Sequence, residues 1–262
     1  MQTLWASLIE KCRLHPSLLV AFSGGVDSTL VARAAGEAIQ GPVLLVFCKT
    51  PLTTTREEER AKMIANWLKL PFTVTELDVL AWPEIAQNRR ERCYVCKRTL
   101  FSHLQQLAAA EGFARVADGT TADDLRAGNR PGRRAAAELQ IAQPLAESGL
   151  GKEQVRALAQ WLQLPNHDQP ANPCLATRFP YDTPLTPQLL RRVEQGEQLL
   201  AHLGCREFRL RNHGDLCRIE AAPAERERIL AQSAAIEEAL HALGWSFITL
   251  DLGGLKSGCF DI

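Results

Sequence analysis

The chain has 262 residues, 46% of them hydrophobic, and its 30 Lys and Arg balance 30 Asp and Glu. That apolar content is ample for one large core or two smaller ones, and formal neutrality gives no overall pull toward a polyanion. No apolar run approaches the roughly 18 residues of a membrane span, and Met1-Gln2-Thr3-Leu4-Trp5 lacks the basic-then-apolar start of a signal peptide, so the sequence reads as soluble and cytoplasmic.

In chain order, the first strand-like run is Leu18–Phe22, followed by Ser23-Gly24-Gly25-Val26-Asp27-Ser28 and a helical pattern over Ser28–Ile39. A strand, a two-glycine turn and a helix start expose successive backbone N–H groups, which together with the helix dipole favour an anion. Gly24 and Gly25 let the backbone approach that anion without a Cβ in the way. Ser23 and Ser28 add hydroxyls, and Asp27 suits a magnesium ion or the orientation of the loop. No Gly-Lys-[Ser/Thr] follows, so this is not a Walker A loop. The string resembles the SGGxDS loop of the PP-loop ATP pyrophosphatases. Those enzymes grip the pyrophosphate of ATP and release it while adenylating a substrate.

Further strands are expected at Val43–Phe47, Phe72–Glu76 and Arg115–Asp118, with helices at Thr54–Lys69 and Lys97–Glu111. Thr53 or Thr54 caps the first of these helices, and Glu57, Glu58 and Glu59 suit the positive end of its dipole. Alternation of this kind predicts an α/β fold, a doubly wound parallel sheet with ligands beyond the C-terminal strand ends. Asp118 and Thr120 end the fourth strand and are therefore candidates to meet a nucleotide. Asp123–Arg134 is rich in Gly, Asn, Pro and charge and reads as a loop, whose Arg130, Arg133 and Arg134 are candidate phosphate ligands.

After a helix at 152–162, Pro165–Pro187 reads as a proline-rich linker. Beyond it the pattern is helix (Pro187–Leu203), two strands (Glu207–Arg211, Leu216–Ala221), helix (Pro223–Leu243) and strand (Trp245–Leu250). This order predicts a smaller C-terminal α+β domain, with domains at 1–170 and 171–262.

Eight cysteines in such a chain are not a disulfide framework. Cys12, Cys48, Cys205 and Cys217 fit small buried hydrophobes. Arg92-Cys93-Tyr94-Val95-Cys96-Lys97 is different, because two thiols with two intervening residues can ligate one metal or cluster. Its neighbours Arg89, Arg90, Arg92, Lys97 and Arg98 favour thiolate. Cys174 in the linker is a third candidate, with Arg178 beside it as a phosphate ligand. Three thiolates suit a [4Fe–4S] cluster with one open iron, or a zinc with an open position.

Over nearly its whole length the chain resembles the LarE family, ATP-dependent sulfur transferases that build the nickel-pincer nucleotide cofactor. The resemblance rests on the glycine loop, Arg92–Lys97, Ala117–Asp124, Arg130-Pro131-Gly132, Pro173–Tyr181 and Leu250–Gly258. It implies adenylation of a carboxylate of a pyridinium dicarboxylate mononucleotide, followed by conversion to a thiocarboxylate. ATP, Mg²⁺ and a [4Fe–4S] cluster on Cys93, Cys96 and Cys174 are the implied cofactors. Sacrifice of the Cys174 sulfur, seen in other members, is the fallback. The resemblance further implies substrate phosphate contacts at Arg209 and Arg211, metal or substrate contacts at Glu197 and Glu220, and a homo-oligomer. Members often carry arginine where Lys256 stands and continue further, so a phosphate contact there is not expected to carry over unchanged.

Two other function classes compete. A tRNA-thiolating PP-loop enzyme can also use three cysteines, but it calls for excess basic charge or an RNA-binding module, and no tRNA partner is expected here. A non-catalytic nucleotide-binding or redox module would bind ATP without releasing pyrophosphate.

Overall fold

The computed structural model describes residues 1–126, 131–256 and 260, without the side chains of Pro131 and Arg133. The chain divides into two units, Met1–Val79 with Glu91–Ala171, and Leu80–Arg90 with Asn172–Ile262. Arg130, the Arg133 side chain and Ser257-Gly258-Cys259, singled out in the sequence, lie outside the described residues.

The first unit runs α1 (Gln2–Arg13), β1 (Leu18–Ala21), α2 (Val26–Ala38), β2 (Val43–Lys49), α3 (Thr55–Leu68) and β3 (Phe72–Glu76). After α4 (Pro83–Ala86), which belongs to the second unit, it continues through α5 (Arg92–Ala110), β4 (Arg115–Ala117), α6 (Ala122–Arg126), α7 (Pro131–Glu138), α8 (Pro144–Glu147) and α9 (Lys152–Trp161). Its four strands form one parallel sheet in the order β3-β2-β1-β4. Successive strand side chains point to opposite faces, and both faces are covered. Leu18, Val20, Leu45 and Phe47 join Trp5, Leu8, Leu30 and Leu158 in one layer. Leu19 and Val46 join Phe101, Leu104, Val116 and Ala136 in the other. Each fully buried Leu, Val or Phe among them contributes about 1.5–3 kcal/mol relative to exposure. The expected doubly wound α/β sheet is therefore present.

Strand order reverses at β1, which has β2 on one side and β4 on the other. A crevice opens at the carboxyl ends of the strands at such a switch point, and the glycine loop after β1 and Asp118 after β4 both fall there. Thr54 starts α3 with a reciprocal cap, its Oγ1 accepting from Glu57 N at 3.2 Å while Glu57 Oε2 accepts from Thr54 N at 2.8 Å. Of the two threonines expected as caps, Thr54 serves.

Four expectations need correction. Helix α1 was not anticipated; it buries Trp5, Leu8, Ile9 and Cys12 along one face. Helix α5 begins at Arg92 rather than Lys97, which puts both cysteines of the pair within its first five residues. The segment 123–134, read as a loop, contains parts of α6 and α7, because Ala135 and Ala136 are buried and hold α7 against the sheet. The long helix at 223–243 is two, α11 (Pro223–Ala231) and α12 (Ser233–Ala242), separated at Gln232.

The second unit contains α4, α10 (Pro187–His202), β5 (Phe208–His213), β6 (Leu216–Ala221), α11, α12 and β7 (Phe247–Leu250). Its sheet has the order β5-β6-β7, with β5 and β6 antiparallel and β6 and β7 parallel. The linker between the two regular regions carries one 3₁₀ turn, Leu175–Arg178. Asn88, fully buried near α4, donates from Nδ2 to the carbonyls of Phe179 (3.2 Å) and Pro180 (2.8 Å) and so ties 80–90 into this unit.

Candidate active site

Beyond β1 the backbone turns at Gly24, whose φ of +68° is the left-handed region that glycine occupies without penalty. A Cβ on Gly24 would lie 2.7 Å from Ala61 Cα of α3, so the residue is required on two counts. Gly25 caps α2 in an extended conformation, leaving the first N–H groups of the helix without intrahelical acceptors. Ser23 Oγ lies 3.3 Å from both Ser28 Oγ and Gly25 N, and Ser28 Oγ donates to Gly25 O at 3.1 Å. The result is a tight nest of donors with two hydroxyls at its rim.

Asp118 and Thr120 lie against this nest. Gly119 between them packs so closely that a Cβ there would sit 2.8 Å from Ser28 N. The Asp118 carboxylate accepts from Thr120 N at 3.0 Å and Thr120 Oγ1 at 2.7 Å, which folds the strand end into a rigid turn. Burial pushes the Asp27 carboxyl above the ordinary carboxylate range; Lys152 and Arg156 pull it back, while Asp124 and Asp118 add to the rise. Lys152 is itself tied to Asp124 at 3.1 Å, and its backbone N–H donates to Asp123 at 2.7 Å. Asp27 is thus a desolvated carboxylate within reach of both signs of charge, suited to a divalent cation when the triphosphate arrives.

On α5, Cys93 is exposed and Cys96 half-buried. Three residues apart, they share one face at the start of the helix, where the dipole favours anions. Tyr94 between them is anchored to α7: its hydroxyl donates to Glu138 at 2.7 Å, and the Arg134 guanidinium stacks 3.8 Å from its ring centre. Arg134, a candidate phosphate ligand, is spent on Tyr94 and Glu138. Arg89 and Arg90 are likewise engaged in the second unit, with Asp182 at 2.8 Å and over the Tyr181 ring. Cys12, Cys48, Cys205 and Cys217 are packing residues. Burial raises the pKa of Cys12, Cys48 and Cys217 to about 12 and shifts Cys205 upward too.

In the second unit, Cys174 caps the 3₁₀ turn, and its carbonyl accepts from Thr177 N at 3.0 Å and Thr177 Oγ1 at 2.8 Å. Arg178, 1% exposed, organises the segment. It grips Glu197 through Nε at 2.8 Å and Nη2 at 3.0 Å, and donates to Pro173 O, Thr177 Oγ1 and Asn172 Oδ1 at 2.6, 2.9 and 2.9 Å. A guanidinium has five N–H donors, and here they serve protein acceptors. Arg178 therefore shapes the Cys174 loop instead of offering the open phosphate site expected of it.

Arg209 and Arg211 on β5 face Glu220 on β6. Glu220, 1% exposed, takes Arg211 at 2.7 Å and Arg218 at 3.0 Å, while Glu197 also accepts from Leu210 N at 3.1 Å. Both glutamates expected as metal or substrate contacts are held by arginines. Within neither unit do three His, Cys, Asp or Glu side chains converge as a metal site among the described residues. Burial pulls the Arg209 pKa down to about 10, reinforced by Arg178 and Arg211 and opposed by Glu197 and Glu220. Arg178, Arg209, Arg211 and Arg218 stand against Glu197, Glu220 and Asp251, the last 3.6 Å from Arg218 Nε, which leaves one positive charge in excess, and the Phe260 ring lies 5.7 Å from the Arg211 guanidinium and 5.9 Å from that of Arg218.

A family model described as asparagine synthase matches residues 2–234. The pyridinium-3,5-bisthiocarboxylic acid mononucleotide synthase of Lactiplantibacillus plantarum, a LarE enzyme, is 35% identical over 97% of this chain and 92% of its own length. The chain belongs to the LarE family. It is an ATP-dependent enzyme of the PP-loop class. An uncharacterized protein of Synechocystis sp. is 38% identical over 92% of this chain and 90% of its own. Another, from Methanocaldococcus jannaschii, is 31% identical over 82% and 81%.

Several residues at these candidate sites, within each unit taken by itself, carried no sequence signal. Asn166 reaches the glycine loop from 142 residues away, and Arg218 and Phe260 join the arginine cluster only through strand pairing and the C-terminal segment. Asn172 was legible at most as a polar neighbour of Cys174. No helix among the described residues is long and apolar enough to cross a membrane.

Proposed function

We propose that this enzyme uses ATP to adenylate a carboxylate of a pyridinium dicarboxylate mononucleotide and converts it to a thiocarboxylate in nickel-pincer cofactor biosynthesis. The observation that carries this reading is the near full-length similarity to a synthase of pyridinium-3,5-bisthiocarboxylic acid mononucleotide. The loop geometry supports it. A carboxylate oxygen attacks the α-phosphorus, the α–β bond breaks, and pyrophosphate departs into N–H groups and hydroxyls already aimed at negative charge. Asp27 is the residue that would hold Mg²⁺, which neutralises the leaving pyrophosphate.

Cys93, Cys96 and Cys174 are proposed as the thiolates that would hold a [4Fe–4S] cluster. An accessible thiol pair on one helix turn and a third thiol on a shaped loop are a soft donor set suited to iron. When bound, the cluster supplies a sulfide nucleophile, so that no cysteine sulfur need be consumed. AMP then leaves with the former carboxylate oxygen. Arg209, Arg211 and Arg218 favour the substrate phosphate, and Arg178 holds Cys174 in place. Free thiols and the use of ATP support a cytoplasmic location, and the family resemblance supports a homo-oligomer.

Anaerobic purification followed by iron and sulfide assay tests the cluster. Iron and sulfide are expected in the wild type and lost in Cys93→Ala. Retained sulfur transfer in Cys93→Ala, with Cys174 becoming dehydroalanine, would instead establish sacrifice of that cysteine.

A further inference from the structure

Asn166 follows α9 on the chain, is 5% exposed, and belongs to no part of the chemistry described above. Its Nδ2 donates to Gly24 O at 3.0 Å and to Thr29 Oγ1 at 2.9 Å. A carbonyl only accepts, so the amide nitrogen must face the loop. The Asn166 Oδ1 is then buried without a hydrogen-bond partner among the described residues. Leaving a buried acceptor unmet is costly, and an apolar side chain would avoid that cost. What the amide supplies against that cost is two donors, both of them used.

We propose that Asn166 is a positioning residue that sets the Gly24–Gly25 peptide of the pyrophosphate loop. The peptide is planar and trans, so its carbonyl and its N–H point in opposite directions. By pinning the Gly24 carbonyl, Asn166 turns the Gly25 N–H away from itself, toward Ser23 Oγ and the concave side of the nest. A peptide flipped by half a turn would present its carbonyl oxygen to the phosphate oxygens. Glycines flank this peptide on both sides and offer little steric resistance to such a flip. The loop therefore needs an external latch, and the second bond to Thr29, which is fully buried in the first turn of α2, ties the same amide to the helix that carries the dipole.

The inference rests on the loop being the pyrophosphate grip and is independent of the sulfur acceptor. Its test is calorimetric titration of the full-length protein, wild type, Asn166→Ala and Asn166→Asp, with ATP, inorganic pyrophosphate and AMP, all with Mg²⁺. Asn166→Ala is expected to weaken pyrophosphate and ATP by about tenfold or more while AMP changes less than about threefold. Asn166→Asp keeps the shape, but when ionised it has no donor for Gly24 O. Its pyrophosphate affinity is therefore expected to fall with rising pH more steeply than that of the wild type. Equal losses for AMP and pyrophosphate, or pyrophosphate affinity in Asn166→Ala within twofold of wild type, overturns the latch. A wild type that binds AMP but not pyrophosphate overturns the loop reading itself, and the latch with it.

Discussion

Gly24 shows how much a single residue can disclose. Its position after a strand and before a helix is visible in the sequence, and the structure adds the reason: a positive φ and an Ala61 backbone where a Cβ would go. Gly24→Ala is expected to destabilise the protein by about 1–3 kcal/mol and to abolish ATP binding, readable by denaturant titration and calorimetry. Asp27→Ala is expected to reduce pyrophosphate release at least about 100-fold, measured by ATP–pyrophosphate exchange. Because burial holds the Asp27 pKa above its ordinary value, the stability this group contributes is fully present below the ordinary aspartate value, where it is protonated, and is lost as pH rises through the folded value. Cation binding needs the ionised form, so the acid limb of turnover lies above the usual aspartate range. Removing the favourable charge in Lys152→Met shifts that limb further upward. At Arg209 burial likewise disfavours the charged form, which for a base lowers the pKa. Inorganic phosphate is expected to raise the melting midpoint of the wild type, and Arg209→Met to remove that response without lowering the phosphate-free midpoint. A lower phosphate-free midpoint would contradict the account of the arginine cluster. The fate of Arg178 is not legible in the sequence, since a guanidinium beside a thiol looks the same whether its donors face a ligand or the protein's own acceptors.

At the scale of elements, strands and capped helices were legible where pattern and chemistry agreed. The apolar run at Leu18–Val20 gives β1, and Thr54 with Glu57 gives the start of α3. Thr54→Ala is expected to cost about 1 kcal/mol, since it removes the cap. Elements were misread where packing overrode composition. Gly, Pro and charge over 123–134 disguised α6 and α7, and the basic run around Cys93 hid the true start of α5 at Arg92. That last correction matters for chemistry, because it places Cys93 and Cys96 on a rigid turn anchored by Tyr94. The loop that activates and the helix that carries the thiols are separate elements. Cys93→Ala and Cys96→Ala are therefore expected to keep ATP–pyrophosphate exchange while losing thiocarboxylate formation, read by mass spectrometry. Loss of exchange in either variant would contradict that separation.

For the molecule as a whole, the proposed activation lies at the switch point of the parallel sheet, and the second unit carries Cys174 and the arginines of its own sheet. Each half was legible as a pattern of residues, whereas the contacts that lock it, from Asn166 to Gly24 and from Glu197 to Arg178, join residues that sequence spacing alone does not relate. The central claim is that ATP cleavage is coupled to sulfur delivery onto a carboxylate. Its most direct test is mass spectrometry of a pyridinium dicarboxylate mononucleotide incubated with ATP, Mg²⁺ and anaerobically purified enzyme, with AMP measured in the same samples. The expected result is one carboxylate oxygen replaced by sulfur for each AMP formed, and none without ATP. AMP formation with the nucleotide recovered unchanged, or sulfur incorporation without ATP, would contradict it.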